Sequence, residues 1–228
     1  FSVPVGKRTT VLDALEYVRA REDDSLLYRH SCHHGSCGTC GMLVNGAQKL
    51  ACLANLEEAA ASPSADNGDT ADNGDTGQAE ADVVLEPLDA FTHIRDLAVD
   101  PTGFFNSFPE NAAYLRASET NREAPVAPEA TDGRYPGYER FENCIECGLC
   151  VSACPVTKAF VGPATLAAFH RELKNSPERR EEILGMVDTE DGVWACQRAL
   201  NCSRVCPTDV YPAKHIAMLQ REIKKSRG

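Results

Sequence analysis

The sequence predicts an α+β chain in which a mixed N-terminal domain is followed by an all-helical C-terminal domain. In the first part, Thr10 is suited to cap an amphipathic helix, because the apolar residues after it recur at helical spacing. Short strands are predicted around residues 2–5, 42–44 and 83–85. In the second part, three prolines each begin a stretch patterned for a helix, where the missing N–H of proline costs nothing. These prolines are Pro163, Pro177 and Pro212.

Composition divides the chain further. We expect a first domain over residues 1–108, an extended connector rich in Pro, Glu and Ala over residues 109–137, and a helical domain over residues 138–228. An acidic insert at about residues 62–82 contains a tandem Ala-Asp-Asn-Gly-Asp-Thr repeat and no Lys or Arg. It is predicted to be disordered and solvated, since it lacks the alternating oxygen ligands and terminal Glu of a calcium loop.

Charge and hydropathy argue against nucleic-acid binding and against a membrane-spanning helix. The formal net charge of −11 disfavours nucleic acid, whose phosphates require Lys and Arg. No apolar run approaches the roughly 20 residues that a membrane-spanning helix needs. The chain is therefore expected to reach a membrane only through its surface or through other subunits.

The first block of cysteines has the spacing of a plant-type [2Fe-2S] loop. It reads C-x4-C-x2-C with a fourth cysteine further on, and each of two irons would take two thiolates. The predicted ligands are Cys32, Cys37, Cys40 and Cys52. Three glycines, Gly35, Gly38 and Gly41, are interleaved with them, and residues without a Cβ allow backbone N–H groups to approach the sulfurs.

The other seven cysteines form two runs of bacterial ferredoxin type, C-x2-C-x2-C-x3-C-P, in which the fourth cysteine of each run serves the other cluster. In the second run, Ala199 replaces the second cysteine. The predicted [4Fe-4S] ligands are therefore Cys144, Cys147, Cys150 and Cys206. The predicted [3Fe-4S] ligands are Cys154, Cys196 and Cys202. An alanine methyl would then lie where a fourth iron would otherwise be held.

Two other uses of cysteine fit less well. A disulfide framework suits small secreted chains, whereas here the cysteine count of eleven is odd and 228 residues suffice to bury a core. Structural zinc usually uses pairs of C-x2-C at wider separations. A zinc-bound interaction module nevertheless stays open as an alternative at this stage.

With these residues in hand, the chain resembles the iron–sulfur subunits of succinate dehydrogenase and fumarate reductase, the respiratory complex II family. The resemblance covers nearly the whole length and extends beyond the cysteines. It includes Ser31 before the first ligand, the stretch Ile-Arg-Asp-Leu-Ala-Val-Asp at 94–100, the Phe-Val-Gly-Pro turn at 160–163, and the Cys-Pro pair at 206–207.

The resemblance implies a β-grasp [2Fe-2S] ferredoxin domain followed by an α-helical ferredoxin domain that holds the other two clusters. It implies an oxidoreductase subunit that carries electrons from the FAD of a flavoprotein, where the dicarboxylate chemistry takes place, to quinone in a membrane anchor. It also implies a peripheral position on the cytoplasmic face of the membrane. The alternatives are the iron–sulfur subunit of a thiol- or heterodisulfide-linked fumarate reductase, and a free ferredoxin-like carrier.

The sequence departs from the family pattern at two places. Ubiquinone-using members carry a tryptophan and a histidine where this chain has Ala159 and Gln197, so we expect a different quinone pocket, one for menaquinone, or an unusual final acceptor. His33 and His34 occupy loop positions that usually hold a basic and an acidic residue. Either they are exposed surface histidines, or one donates a hydrogen bond to a cluster sulfur.

Trp194, two residues before a predicted ligand, is expected to pack in the core rather than relay electrons.

Overall fold

The computed structural model describes residues 1–62, 82–109, 143–156 and 160–228. The chain divides into two compact units, Phe1–Asp100 and Pro101–Gly228. Most of the acidic insert, most of the connector, and Ala159 lie outside the described residues, so the expectations about them stay predictions. The mixed first unit and the helical second unit confirm the predicted α+β class.

The first unit combines two helices with five short strands. They are α1 (Val11–Arg21), β1 (Gly41–Val44), β2 (Ala47–Leu50), α2 (Leu56–Ala60), β3 (Leu85–Glu86), β4 (Thr92–Arg95) and β5 (Ala98–Asp100). Thr10 caps α1 as predicted: its side chain accepts a hydrogen bond from the backbone N–H of Asp13, and the Asp13 carboxylate accepts one from the Thr10 N–H. This reciprocal pair satisfies two donors that a helix start leaves without partners.

The hairpin of β1 and β2 is the centre of a three-stranded antiparallel sheet ordered β2-β1-β3. Its turn is Asn45-Gly46, both with positive φ, which is the two-residue turn that matches strand twist. The Asn45 side chain also donates to the carbonyls of Ala59 and Ser62 and accepts from the N–H of Val84. One residue therefore joins the hairpin, the end of α2 and the approach to β3.

A second hairpin, β4 and β5, positions the segment that leads into the first cysteine loop. Between its strands, the Asp96 carboxylate accepts a hydrogen bond from the backbone N–H of Leu27 at 2.8 Å. The N–H of Leu97 in turn donates to the carbonyl of Leu27 at 3.1 Å. The stretch 94–100 that carried part of the family resemblance thus ties down the chain five residues before Cys32.

Two strand predictions need correction. Residues 2–5 form no strand; Val5 is 53% exposed, so this segment lacks the packed face that a strand needs. The strand expected over 83–85 begins only at Leu85 and is two residues long, because it pairs with β1 at Val44 and Leu43 alone. The expected strand at 42–44 is confirmed as part of β1.

The second unit is helical. It contains α3 (Thr102–Phe105), α4 (Leu149–Ser152), α5 (Pro163–Asn175), α6 (Arg180–Val187), α7 (Asn201–Arg204) and α8 (Pro212–Arg227), with 3₁₀ turns at Pro177–Arg179 and Val193–Ala195. Pro163 and Pro212 begin α5 and α8 as predicted. Pro177 begins a 3₁₀ turn instead, and the α-helix follows only from Arg180.

An apolar core holds α5, α6 and α8 together. Its most buried members are Leu166, Ile183, Val187, Val193, Ile216, Leu219 and Ile223. The segment 101–109, which the sequence assigned to the first domain as far as residue 108, contributes Phe104 and Phe108 to a second cluster around Cys150 and Cys202. The compact boundary therefore falls at residue 100, because these rings need the apolar surface of the helical unit.

In the parts of the chain that the structure describes, no helix is both long enough and apolar enough to cross a bilayer.

The capping box of α1 can be tested by Thr10→Ala, which leaves the N–H of Asp13 without its side-chain acceptor. We expect local opening of α1 to become easier by about 1 kcal/mol, roughly five-fold faster amide exchange. Hydrogen exchange with mass spectrometry on the peptide covering 11–21 measures this. Thr10→Ser, which keeps the hydroxyl, should exchange like the native chain; equal exchange in Thr10→Ala would contradict the assigned cap.

Candidate metal centres

The structure describes all eleven cysteines, and none of them forms a disulfide. In the first unit, Cys40 interacts with Cys37 and Cys52, and Cys37 accepts a hydrogen bond from the backbone of Cys32. In the second unit, the neighbours of Cys144 and Cys147 include Cys206, and those of Cys202 include Cys154, Cys196 and Cys150. The ligand sets predicted from the spacing stay a prediction.

The β1–β2 hairpin brings Cys40 and Cys52 together. Gly41 pairs with Leu50 in the sheet, and the N–H of Ala51 donates to the carbonyl of Cys40 at 3.0 Å. Cys40 therefore lies just before β1 and Cys52 just after β2, at the same end of the hairpin. Both residues are buried, with 3% and 6% exposure. Pairing of β1 with β2 therefore brings Cys52, the distant fourth cysteine of the spacing pattern, to the same end of the hairpin as Cys40.

Cys32 lies in a loop whose backbone amides converge on its sulfur. The N–H groups of His34 and Ser36 approach the Cys32 Sγ at 3.5 and 3.3 Å. Hydrogen bonds from the His34 backbone, foremost, and from the Ser36 side chain lower the pKa of the Cys32 thiol to about 5. A lowered pKa favours the thiolate, the form that binds iron.

The glycines of this loop act through backbone conformation. Gly35 and Gly38 have φ values of +78° and +70°, which residues with a Cβ rarely adopt. The amides that reach the Cys32 sulfur belong to His34 and Ser36, on either side of Gly35. Gly35 therefore makes the turn that presents its neighbours' N–H groups, while Gly41 lies in β1.

Both loop histidines are exposed, and neither of their rings is hydrogen-bonded to a cysteine sulfur in the structure. The His34 ring bonds the Cys32 carbonyl and, at 3.1 Å, the Ser36 hydroxyl. The His33 ring faces His30 and Glu16. Of the two sequence interpretations, surface histidines agree with the structure; the bond to sulfur comes from the backbone of His34 instead.

The group in the second unit predicted to hold [4Fe-4S] is enclosed by apolar surface. Cys144 and Cys206 pack against Ala167, Ala168 and Val210. Burial raises the pKa of the Cys144 thiol to about 12, that of Cys147 to about 11, and that of Cys150 well above its usual value. The N–H of Val210 donates to the Cys206 sulfur at 3.4 Å. Such buried sulfurs become thiolates only when bound cations supply the compensating charge.

The predicted three-iron group lines a pocket together with Ala199. Cys154, Cys196 and Cys202 border this pocket, and Gln197, Ala199 and Leu200 form part of its exposed side. Cys150 of the neighbouring group interacts electrostatically with Cys202, so the two groups of the second unit adjoin.

The backbone around Ala199 resembles the backbone around Cys147. In the first ferredoxin-type run, Cys147 lies between two left-handed residues, Glu146 at φ +52° and Gly148 at +77°. In the second run, Ala199 lies between Arg198 at +58° and Leu200 at +65°. The two loops therefore have the same alternation around equivalent positions. The left-handed Arg198 and Leu200 carry no sequence signal, because nothing in their side chains favours that conformation.

The spread of the sulfurs also bears on zinc. A single tetrahedral zinc ion, at about 2.3 Å from each sulfur, holds its ligand sulfurs about 3.8 Å apart. Among the described residues, no three cysteine sulfurs all lie within 4.8 Å of one another.

Trp194 packs against the core of the second unit, as expected. Its Nε1–H donates to the Asp188 carboxylate at 2.7 Å, and the Arg227 guanidinium binds both oxygens of the same carboxylate at 2.6 Å. These contacts hold the segment before Cys196 against the end of α8. Asp188 was not singled out from the sequence, because nothing local relates it to Trp194 or Arg227.

Gly35→Ala tests the loop geometry. Its Cβ would lie 2.7 Å from Cδ1 of the exposed Leu53 side chain, which can move, so the cost comes mainly from the positive φ, about 1–2 kcal/mol. We expect a loop turned away from Cys32 and a shifted EPR spectrum of the reduced [2Fe-2S] cluster, with lower iron content.

Gly46→Ala is the matched control, since Gly46 has φ +75° and no atom within 4 Å of an added Cβ. It should lose similar stability and keep the native EPR spectrum. A native spectrum in Gly35→Ala as well would contradict the role assigned to this loop.

Comparisons with known proteins agree with this geometry. Residues 1–106 match the model of a 2Fe-2S iron-sulfur cluster binding domain, and residues 140–210 match that of a 4Fe-4S dicluster domain. The fumarate reductase iron-sulfur subunit of Haemophilus influenzae is 32% identical, over 95% of this chain and 82% of that protein. The protein of the same name from Mycobacterium tuberculosis is 33% identical, over 93% of this chain and 80% of that one.

A solved structure shares the fold. It is a chain of the Mycobacterium smegmatis Sdh1 complex in the apo form, with a TM-score of 0.63 and 21% identity, covering 98% of this chain and 87% of that one. The matched domains, the full-length relatives and the arrangement of the cysteines lead to one conclusion: this chain belongs to the family of succinate dehydrogenase and fumarate reductase iron–sulfur subunits.

Proposed function

We propose that this chain transfers electrons within a succinate:quinone oxidoreductase, from the FAD of a flavoprotein subunit to quinone. The observation that carries the proposal is the grouping of cysteines within each unit, together with the left-handed residues that flank both Cys147 and Ala199. Membership of the oxidoreductase family supports the same function.

The ligand assignment follows these groups. A [2Fe-2S] cluster would be held by Cys32, Cys37, Cys40 and Cys52. A [4Fe-4S] cluster would be held by Cys144, Cys147, Cys150 and Cys206. A [3Fe-4S] cluster would be held by Cys154, Cys196 and Cys202. When bound, the clusters supply one-electron redox centres in that order between FAD and quinone.

The protein's own contribution is to tune and shield these sites. Backbone N–H groups donate to the sulfurs of Cys32 and Cys206, and such bonds stabilise negative charge on a cluster. Phe104 and Phe108 pack beside Cys150 and Cys202. Their rings reduce the access of water there, which raises the cost of charging the site and so influences its potential.

Two partner classes belong to this proposal. Succinate oxidation or fumarate reduction is assigned to an FAD-containing flavoprotein, and quinone to one or more membrane anchor subunits. The chain would then be peripheral, on the cytoplasmic face of the membrane. The exposed edge formed by Gln197, Ala199 and Leu200 beside the three-cysteine pocket is a suitable surface for the quinone side.

Ala199→Cys tests the three-iron assignment, because it would restore a fourth thiolate. For the native chain in its complex we expect about nine irons per chain and an EPR signal from the oxidised [3Fe-4S] cluster. In Ala199→Cys we expect about ten irons and loss of that signal.

Ala199→Val is the control, since it adds bulk at the same left-handed loop without a ligand. It should keep the three-iron signal. A native chain with about ten irons and no oxidised signal would overturn the assignment, and a chain without iron would return the question to zinc.

The quinone proposal depends on Gln197, which stands where ubiquinone-using members carry histidine; the companion position, Ala159, lies outside the described residues. We expect the whole complex to reduce a menaquinone analogue faster than a ubiquinone analogue with succinate as donor. Steady-state rates with both quinones measure this preference. A clear preference for ubiquinone would contradict menaquinone as the acceptor.

A further inference from the structure

Three side chains beside the [2Fe-2S] loop, which the electron-transfer function leaves unused, come together on the surface of the first unit. They are Glu16, on α1, and His30 and His33, on either side of Cys32. Each offers one ligand atom, and the three atoms all lie within 4.8 Å of one another. In the described parts of the chain, this is the one group of three or more His, Cys, Asp or Glu residues that converges so closely.

The separations fit a metal ion better than they fit hydrogen bonds alone. His30 Nδ1 is 3.0 Å from His33 Nε2, a normal hydrogen-bond distance. The Glu16 Oε1 atom, however, is 3.6 Å from His30 Nδ1 and 3.5 Å from His33 Nε2. Both separations are longer than a good hydrogen bond. Ligands at 2.0–2.1 Å around a tetrahedral zinc ion lie about 3.3–3.4 Å apart. The three measured separations scatter around that value.

The surroundings hold the two rings in place and leave them open to solvent. The Tyr28 ring lies 5.1 Å from the His30 ring, and His33 has φ +61°. The side chains of His30, His33 and Glu16 are 31%, 43% and 42% exposed, so an ion and its water ligand can reach them.

We propose that Glu16, His30 and His33 form a binding site for a divalent transition-metal ion of the Zn²⁺ class, with a water molecule at the fourth position. Two imidazoles and one carboxylate are the donor set of open zinc sites. A bound ion links α1 to the loop that carries Cys32. Its charge beside that thiolate stabilises the reduced [2Fe-2S] cluster, so Zn²⁺ raises the midpoint potential of this cluster.

The site can be tested on the iron-loaded complex that contains this chain, cleared of loose metal with a chelating resin and then equilibrated with Zn²⁺ alone. Zinc and iron are counted by mass spectrometry, and zinc K-edge X-ray absorption identifies the ligands. We expect one saturable zinc per chain that Glu16→Gln and His30→Gln weaken at least ten-fold, with unchanged iron content. The first shell should contain N and O ligands near 2.0–2.1 Å.

Matched controls are Glu57→Gln, an exposed glutamate on α2, and His93→Gln, an exposed histidine on β4. Both should bind zinc like the native chain. Zinc binding that is equal in the native chain and His30→Gln would overturn the site. So would a shell of sulfur near 2.3 Å, since it means that zinc has entered a vacated cysteine group.

Redox titration of the [2Fe-2S] EPR signal tests the effect on the cluster. The midpoint potential should rise with Zn²⁺ in the native chain and stay constant in Glu16→Gln. Equal potentials with and without bound Zn²⁺ in the native chain would overturn the proposed influence on the cluster. Because zinc is counted separately from iron and EPR, failure of this site is distinguishable from failure of the electron-transfer function.

Discussion

The constraint on which this structure depends is that cysteine sulfurs lie in apolar surroundings and have to be ionised to work. Burial raises the pKa of Cys40 and Cys144 to about 12, so without a cation these thiols stay protonated. Iron supplies the missing charge, and its binding energy becomes part of the folding energy. The helical unit illustrates this: Cys150 and Cys202 lie in the same apolar cluster as Ala164 and two phenylalanine rings.

Cys32 differs from these buried cysteines in its surroundings. Its sulfur is only half-buried and receives backbone N–H groups from His34 and Ser36, so its pKa falls to about 5. The [2Fe-2S] loop therefore combines a ready thiolate with the deeply buried Cys40. The same exposed loop carries His33, which allows a second, single-ion site next to the cluster without sharing its ligands.

The two ferredoxin-type runs share a backbone conformation, although Ala199 stands in one where Cys147 stands in the other. Left-handed residues lie on both sides of each position. Leu200 occupies the position of Gly148 and adopts a conformation that costs about 1–2 kcal/mol without glycine. Leu200 adopts this conformation where it lines the pocket of Cys154, Cys196 and Cys202.

The sequence by itself determined the domain order, the three cysteine groups, the start of α1 at Thr10 and the helices that begin at Pro163 and Pro212. These features depend on spacing and on local hydrogen bonding, which the neighbouring residues fix. Neither the Asn45-Gly46 turn nor the strand after it was predicted.

Tertiary structure alone decided the rest. Phe104 and Phe108 joined the helical unit because only there do they find apolar surface. Residues 2–5 formed no strand, whereas Asp96 reached back to Leu27 and Glu16 met two histidines across the cluster loop. Each of these outcomes depends on contacts between residues far apart in the sequence, and short-range patterns carry no information about such contacts.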